Sequence, residues 1–242
     1  MAWFKSWFDS CYYHLLYQHR DEEEAEFFID QLIQFLKPLP HASMLDLACG
    51  KGRHAVHLNE KGFVVTGIDL SEQSIEHCKQ FENHGLSFFV HDMRKLFRVN
   101  DFDVVFNLFT SFGYFESETE NKAAIKNACF ALKPGGTLVI DFLNPSYVIR
   151  NLVPKETRTI EGISFHIERY VADNFITKDI RFTDENEAYH FQEKVKALQL
   201  SDFKKYLEPF GMTITDLFGD YHLNAFDMEN SPRLIIIAKK PV

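Results

Sequence analysis

The sequence predicts an α/β fold built on a parallel sheet, and three observations support this class. Segments of strand and helix character alternate from residue 43 to residue 142. A turn containing two glycines joins the first strand of this region to the first helix, and a stretch of different, alternating polarity begins after Pro145. The regular alternation is typical of a sheet with helices on both faces. The later stretch indicates an antiparallel insertion.

The elements of the alternating region can be placed one by one. A helix is predicted before it, over residues 21–37, because acidic residues open the segment and apolar residues recur at helical spacing until Pro38. The predicted strands are 43–48, 63–68, 86–91, 102–107 and 136–142. The predicted helices between them are 52–61, 71–83 and 118–132. Ser71 is suited to begin a helix, and the stretch 133–136 is suited to a turn.

The remainder of the chain predicts an insertion followed by a return to the main sheet. Three runs of alternating polarity occupy 157–171, 174–182 and 187–198. A helix from Ser201 to Gly211 and strands at 212–218 and 233–239 then close the chain. No repeat or low-complexity tract interrupts the sequence. We therefore predict a single domain over residues 1–242, in which the insertion forms a cap.

Composition and charge exclude several classes of protein. The 242 residues are 45% hydrophobic and 25% charged, which is typical of a folded globular chain. The formal net charge of -9 opposes binding to nucleic acid, which requires a basic surface. No apolar run approaches the roughly 20 residues of a membrane-spanning helix, and the first residues lack the apolar core of a secretory signal. We expect a cytoplasmic protein with no membrane partner. The four cysteines are widely spaced, and we expect no metal site.

The turn after the first strand is the main functional signal. Gly50 and Gly52 allow the backbone to bend sharply and bring a ligand against main-chain amides. Asp69 lies nineteen residues beyond Gly50, at the end of the second predicted strand. A carboxylate at that place can accept hydrogen bonds from both hydroxyls of a ribose. The combination predicts a nucleoside-binding loop.

Two classes of ligand fit such a loop. A dinucleotide carries a pyrophosphate, which Lys51 and Arg53 could bind. S-adenosylmethionine carries a sulfonium and an ammonium instead, so acidic residues near the loop favour it. Asp46 before the loop and Asp92 after the third strand are such residues. Asp92 and the adjacent amide of Met93 could also bind the amino group and the N1 atom of adenine.

These stretches resemble the motifs of the class I S-adenosylmethionine-dependent methyltransferases. The matching stretches are 45–52, 67–71, 91–94 and 132–136, and the resemblance covers about residues 42–142. It implies S-adenosyl-L-methionine as cofactor and S-adenosyl-L-homocysteine as product. It also implies a Rossmann-like seven-stranded sheet in the order 3-2-1-4-5-7-6, with the last strand antiparallel and with the antiparallel β insertion after strand 5.

The resemblance assigns roles to particular residues. Main-chain groups of Ala48 and Gly50 are expected to meet the methionine part, Asp69 to hold the ribose, and Asp92 with Met93 to hold adenine. An N-terminal aromatic segment often closes over the cofactor in this family, so Tyr13, Tyr17 and Arg20 are expected to form a lid. The full set of expected cofactor contacts is Tyr13, Tyr17, Arg20, Asp46, Ala48, Gly50, Gly52, Asp69, Leu70, Asp92, Met93, Asn107 and Leu108.

Within the family, the stretch 106–114 resembles a branch that acts on small molecules. That branch includes glycine N-methyltransferases and amino-sugar N,N-dimethyltransferases, and its members carry a similar capping insertion. No Asp or Asn-Pro-Pro-Tyr sequence follows the fourth strand, which disfavours nucleic-acid and glutamine substrates. The predicted reaction is therefore an in-line methyl transfer to a nitrogen or oxygen atom of a small-molecule acceptor.

Three residues are candidates for a catalytic role, as a base if the acceptor arrives protonated. Tyr114 follows the carboxyl end of a parallel strand, where ligands of open α/β sheets bind, and Tyr221 and His222 lie in the last loop. The domain would then comprise a lid (1–40), a cofactor-binding core (41–145), a β-rich cap (146–199) and the closing helix and strands (200–242).

Two other functions remain compatible with the sequence. One is an NAD(P)-dependent oxidoreductase that uses the same glycine loop, and the other is a non-catalytic binding module with a methyltransferase-like fold. The sequence leaves open whether the cap also pairs two chains in a homodimer.

Overall fold

The structure is a computed structural model that describes residues 3–17 and 22–242. The helices are α1 (Trp3–Phe8), α2 (Cys11–Leu16), α3 (Glu22–Leu36), α4 (Arg53–Glu60), α5 (Glu72–Cys78), α6 (Glu118–Ala131), α7 (Pro145–Arg150) and α8 (Leu200–Leu207). The strands are β1 (Ser43–Leu47), β2 (Val64–Asp69), β3 (Leu86–Val90), β4 (Phe102–Asn107), β5 (Leu132–Leu143), β6 (Lys155–Ile160), β7 (Ile163–Ala172), β8 (Phe175–Asp184), β9 (Glu187–Lys196), β10 (Thr213–Phe218) and β11 (Arg233–Lys239).

Seven strands form the main sheet in the order β10-β11-β5-β4-β1-β2-β3. The first five strands of the chain pair in parallel, and β11 is antiparallel to both β5 and β10. The strand order, the antiparallel last strand and the insertion after β5 confirm the predicted fold. Two layers of helices cover the sheet, because its central strands are apolar on both faces.

The cap is a separate sheet of four antiparallel strands in the order β6-β7-β8-β9. The sequence predicted three runs here, and the first of them proves to be two strands. Glu161 and Gly162, with φ values of 48° and 84°, form the turn between β6 and β7. Left-handed residues at both central positions are what a tight hairpin requires. The pair Glu-Gly is a turn signal that the longer alternating pattern concealed.

The inner face of the cap packs against the first two helices. Phe165 and Ile180 are fully buried on that face, and Trp7 of α1 and Leu16 of α2 are buried against it. These two short helices, α1 and α2, are called the N-terminal helix pair below. The helix pair therefore lies between the cap and the edge of the main sheet where ligands of this fold bind.

Two smaller features differ from the expected elements. The last parallel strand begins at Leu132, so the predicted turn at 133–136 forms the irregular start of β5. A one-and-a-half-turn helix, α7, follows β5; Asn144 caps it and Pro145 is its first residue, a common arrangement.

None of the helices in the described part of the chain is long and apolar enough to span a membrane.

Candidate active site

A cavity of about 680 Å³ opens at the carboxyl ends of β1, β2 and β4. Ligands of open α/β sheets bind at this edge. The N-terminal helix pair and the start of α3 form the opposite wall. Ten of the predicted site residues line the cavity: Tyr13, Tyr17, Ala48, Gly50, Asp69, Leu70, Asp92, Met93, Leu108 and Tyr114.

The loop between β1 and α4 has a left-handed backbone at three positions. Ala48, Gly50 and Gly52 have φ values of 60°, 55° and 83°. A methyl group added at Gly52 would lie 2.9 Å from the ring of Phe88, so this position requires glycine for space as well as for conformation. At Gly52 the loop packs closely against the side chain of Phe88, on the side away from the cavity. Nothing lies within 4 Å of the place where a side chain at Gly50 would begin, so the main chain of the loop is open to a ligand.

Asp69 connects this loop to the end of β2. Its Oδ2 accepts a hydrogen bond of 2.8 Å from the Gly50 amide, and its Oδ1 accepts one of 2.8 Å from the Ser71 amide. Burial raises the pKa of Asp69 above its ordinary value, although the two amide bonds oppose this shift. Each carboxylate oxygen has a further lone pair for a ligand. Asp69 therefore holds the loop in place and presents acceptors to the cavity.

Asp92 is held as a charged acceptor by its neighbour Arg94. The Arg94 guanidinium donates to both carboxylate oxygens of Asp92, at 3.0 Å and 2.7 Å, and also to Glu120 of α6 at 2.5 Å. Burial raises the pKa of Asp92, but the hydrogen bonds from Arg94 outweigh it, and the net shift is downward. Arg94 lies within the stretch 91–94 that resembles the family's motif, but the sequence assigned it no role, because its second partner Glu120 lies 26 residues away on another element.

A group of buried polar atoms lies behind the glycine loop. Asp46 and Asn107 are 1% and 4% exposed at the ends of β1 and β4, and His54 lies in the first turn of α4. Within the described residues, Oδ2 of Asp46, Nε2 of His54 and Oδ1 of Asn107 have no hydrogen-bond partner. The sequence predicted that Asp46 and Asn107 contact the cofactor. In the structure they do not line the cavity but lie just behind its wall.

The charges of this group are set by burial. Burial and the nearby Asp69 raise the pKa of Asp46 to about 7. Burial and the adjacent Arg53 lower the pKa of His54 to about 3, so its ring is neutral at physiological pH. The His54 Nδ1 atom is 3.9 Å from Asp46 Oδ2, which is too far for a hydrogen bond. The group could therefore receive a positively charged ligand that neutralises Asp46.

The segment after β4 forms a wall that the sequence only partly identified. Phe109 stacks on His54 with ring centroids 4.9 Å apart, and the Arg53 guanidinium lies 4.4 Å from the centre of the Phe109 ring. Phe109 and Thr110 both have left-handed backbones, with φ values of 54° and 58°. Such strain persists where surrounding contacts hold it. Phe109 lines the cavity, whereas Phe112, three residues further along the chain, is buried in the core.

The contacts that hold this strained segment come from the end of β5. The amide of Phe109 donates to Asp141 Oδ2 at 2.8 Å, and the amide of Thr110 donates to the Asp141 carbonyl at 3.0 Å. Arg233 donates to Asp141 Oδ1 at 2.7 Å and to the Thr110 hydroxyl at 2.9 Å. Asp141 is fully buried, so this ion pair fixes the wall from inside the protein.

The aromatic wall opposite the glycine loop comes from the N-terminal helix pair and from Tyr114. Phe8 lies edge-on to Tyr114, with ring centroids 5.3 Å apart, and edge-on to Tyr13, at 4.9 Å. Trp3 packs behind Tyr114 at 5.7 Å. These rings give one end of the cavity an apolar surface, at the place where a lid was expected. Arg20, which was also expected in the lid, lies outside the described residues.

The structure corrects the prediction for two of the three candidate catalytic residues. Tyr221 and His222 do not line the cavity. The Tyr221 ring packs on Phe28 with centroids 4.4 Å apart, and its hydroxyl is 3.4 Å from Asp141. His222 is exposed and packs on Phe27 at 4.8 Å. The loop turns back onto α3 because α3 offers an aromatic surface there.

Comparisons with known proteins agree on one family. A family model described as a methyltransferase domain matches residues 44–136. YqeM, a supposed methyltransferase of Bacillus subtilis, is 35% identical over 47% of this chain and 47% of its own length, so the alignment spans about half of that protein. A dTDP-3-amino-3,4,6-trideoxy-alpha-D-glucopyranose N,N-dimethyltransferase of Streptomyces venezuelae is 26% identical over 59% of this chain and 61% of its own.

Two further proteins align over most of the chain. A glycine/sarcosine N-methyltransferase of Aphanothece halophytica is 28% identical over 91% of this chain and 83% of its own. The crystal structure of an S-adenosylmethionine-dependent methyltransferase from Clostridium acetobutylicum superposes with a TM-score of 0.79, at 21% identity, and covers 96% of both chains. The latter likeness shows the fold.

These comparisons confirm the resemblance to S-adenosylmethionine-dependent methyltransferases that the motifs predicted. S-adenosylmethionine is the cofactor of this family, and the residues described above fit it. Asp69 and Asp92 line the cavity with carboxylates, which suit the hydroxyls of a ribose and the amino group of an adenine. The unpartnered oxygen of buried Asp46 fits a nearby ammonium, and the open space at Gly50 admits a ligand to the main chain.

Proposed function

We propose that this protein transfers a methyl group from S-adenosylmethionine to an amine nitrogen of a small, polar molecule. The observation that carries the proposal is the cavity itself, which joins the glycine loop and Asp69 to an aromatic end closed by the N-terminal helix pair. The names of the relatives from Streptomyces venezuelae and Aphanothece halophytica give an amino sugar and the amines glycine and sarcosine as their acceptors. Both support a nitrogen rather than an oxygen as the atom that is methylated.

The residues of the cavity divide into a cofactor end and an acceptor end. Asp69 would hold the ribose, Asp92 and Met93 the adenine, and Asp46 would balance the ammonium of the methionine part through the wall. When bound, the cofactor supplies an activated methyl group on a sulfonium. The protein's own contribution is then to align the acceptor with this methyl group and to keep water out.

The acceptor end combines aromatic rings with residues that carry a hydroxyl. Tyr114 and Ser111 line the cavity together with Phe8 and Phe109. An amine that arrives unprotonated needs no base, because its lone pair is the nucleophile. We propose that Tyr114 contacts the acceptor through its hydroxyl and orients this lone pair.

The Tyr114 hydroxyl can be tested apart from the ring. Tyr114→Phe keeps the packing against Trp3 and Phe8, so the wall should remain intact. We expect kcat/KM for the acceptor to fall about 10- to 100-fold, as is usual when one catalytic hydrogen bond is removed. The affinity for S-adenosylhomocysteine, measured by calorimetry, should stay the same. An unchanged kcat/KM would remove Tyr114 from contact with the acceptor.

The raised pKa of Asp46 leads us to expect that protons are released when the cofactor or its product binds. With a pKa of about 7, roughly half of the Asp46 side chains are protonated at pH 7. A nearby ammonium lowers this pKa, so binding should release about half a proton at pH 7 and less at higher pH. Affinity should therefore fall as the pH drops from about 8 to about 6.

Calorimetry in two buffers of different ionisation enthalpy measures this release with S-adenosylhomocysteine. Asp46→Asn is the matched control, since the amide cannot titrate and the release should disappear. Equal proton release in the wild type and in the variant would assign the titration to another group.

The function is tested first with ligands and then with turnover. Saturating S-adenosylhomocysteine at about 100 times its Kd should stabilise the protein by about 2.7 kcal/mol and raise its Tm, whereas NAD should not. The reverse result would favour an oxidoreductase. Incubation with isotopically labelled S-adenosylmethionine and a metabolite extract, followed by mass spectrometry, then identifies the molecule that gains the methyl group. Binding without any methylated product would favour a binding module.

A further inference from the structure

A carboxylate of the cap joins both members of the N-terminal helix pair. Glu193 on β9 points to the inner face of the cap, and its side chain is 17% exposed. Its Oε1 accepts hydrogen bonds of 2.7 Å from Trp7 Nε1 in α1 and of 2.7 Å from the hydroxyl of Tyr17, which ends α2. Lys178 on β8 hydrogen-bonds the same hydroxyl and lies 3.7 Å from Oε2 of Glu193. One carboxylate oxygen of Glu193 thus accepts a hydrogen bond from each member of the helix pair.

The helix pair depends on such contacts for its position. Each helix has only six residues, and isolated helices of this length are not stable in water. Apolar packing against Phe165 and Ile180 holds the pair on the cap, but apolar contacts are non-directional. The hydrogen bonds to Glu193 add direction, because each donor must point at the same carboxylate.

The position of the helix pair decides the shape of the cavity. Phe8 of α1, Tyr13 of α2 and Tyr17 after α2 all line it. Glu193 does not line the cavity, so it has no direct contact with a bound ligand. The position of the wall at the acceptor end therefore depends on Glu193, a residue of the cap.

We propose that Glu193 is a positioning residue that holds the N-terminal helix pair closed over the cavity and so links the cap to ligand binding. The inference deepens the proposed function, because it assumes that cofactor and acceptor occupy this cavity. Loss of the carboxylate should loosen the wall, weaken binding of both ligands, and leave the chemical groups of the site in place.

The two tryptophans of the chain make a direct test possible. Trp3 and Trp7 both lie in α1, and Trp7 is 1% exposed, so tryptophan fluorescence reports on the helix pair alone. In Glu193→Ala, we expect a red-shifted emission and stronger quenching by acrylamide than in the wild type. We also expect the Kd of S-adenosylhomocysteine to rise about tenfold, as for the loss of hydrogen bonds to a charge. KM should rise while kcat stays within about twofold.

Two further variants separate positioning from a general loss of structure. Glu193→Gln keeps the volume and one acceptor oxygen, so its changes should be intermediate and its urea unfolding should match the wild type. Glu187→Gln is the matched control, since Glu187 is exposed on the same strand and hydrogen-bonds only its neighbour Tyr189 among the contacts described for it. It should leave both fluorescence and Kd unchanged.

Two results would overturn the proposal. One is a Glu193→Ala variant with the emission and quenching of the wild type, and the other is a variant with released tryptophans but an unchanged Kd and KM. The fluorescence comparison requires neither ligand nor turnover. A wild-type protein that bound no S-adenosylhomocysteine would instead contradict the proposed function, so the two failures can be distinguished.

Discussion

Asp69→Ala should weaken the binding of S-adenosylhomocysteine at least tenfold. Two ribose hydrogen bonds to a charged carboxylate contribute about 2 to 3 kcal/mol, which corresponds to about 30- to 150-fold in Kd. The variant also removes the acceptor for the Gly50 amide, so the glycine loop loses its connection to the end of β2. Both losses act in the same direction. Isothermal calorimetry gives the change in Kd.

The control for this variant is Glu72→Gln. Glu72 is exposed in the first turn of α5, three residues beyond Asp69, and makes no contact with the loop among those described for it. Its Kd should equal that of the wild type. Urea unfolding of both variants shows how much of the effect of Asp69→Ala comes from stability. A Kd within twofold of the wild type for Asp69→Ala would show that another group holds the ribose.

Arg233→Ala should cause the largest loss of stability among the substitutions considered. Asp141 is 0% exposed, and Arg233 is its cationic partner at 2.7 Å. Removing one member of a buried pair leaves an uncompensated charge and costs about 3 to 5 kcal/mol. The strained backbone of Phe109 and Thr110 also loses one of its supports. The part of the cavity wall formed by Phe109 should therefore shift.

The free energy of unfolding in urea measures this loss. Lys205→Ala is a suitable control, because Lys205 is 72% exposed in its side chain and forms a surface pair with Asp202 at 3.7 Å. Its cost should be within about 0.5 kcal/mol. Replacing Asp141 by Asn in the Arg233→Ala background should restore part of the stability, because it removes the unpaired charge. A cost for Arg233→Ala equal to that of Lys205→Ala would contradict the assignment.

The cofactor end of the cavity was predictable from sequence because it depends on short spacing. Gly50, Asp69 and Asp92 each lie at the end of a strand with a clear hydrophobic pattern, and parallel strands bring their carboxyl ends to one edge. The left-handed conformations of Gly50 and Gly52 follow from the residue type. Local rules are therefore enough to bring Gly50, Asp69 and Asp92 to one cavity.

The acceptor end depends on contacts between distant segments, which no local pattern contains. Tyr221 turns away from the cavity because Phe28 and Asp141 bind it, at separations of 193 and 80 residues along the chain. Arg233 and Thr110 are 123 residues apart. The hydrogen bond between Trp7 and Glu193 joins residues 186 positions apart. Side chains in loops acquire their positions from such pairs.

The cap occupies one continuous stretch between β5 and α8, and no strand of the main sheet is interrupted by it. Insertions, deletions and sequence changes within β6 to β9 can therefore accumulate without disturbing the register of the seven strands. The sequence of the cap can therefore change while the sheet edge that lines the cavity keeps its structure. Because Glu193 contacts the N-terminal helix pair, substitutions in the cap would also move the wall at the acceptor end. Acceptor specificity could then change without a substitution among the residues that line the cavity.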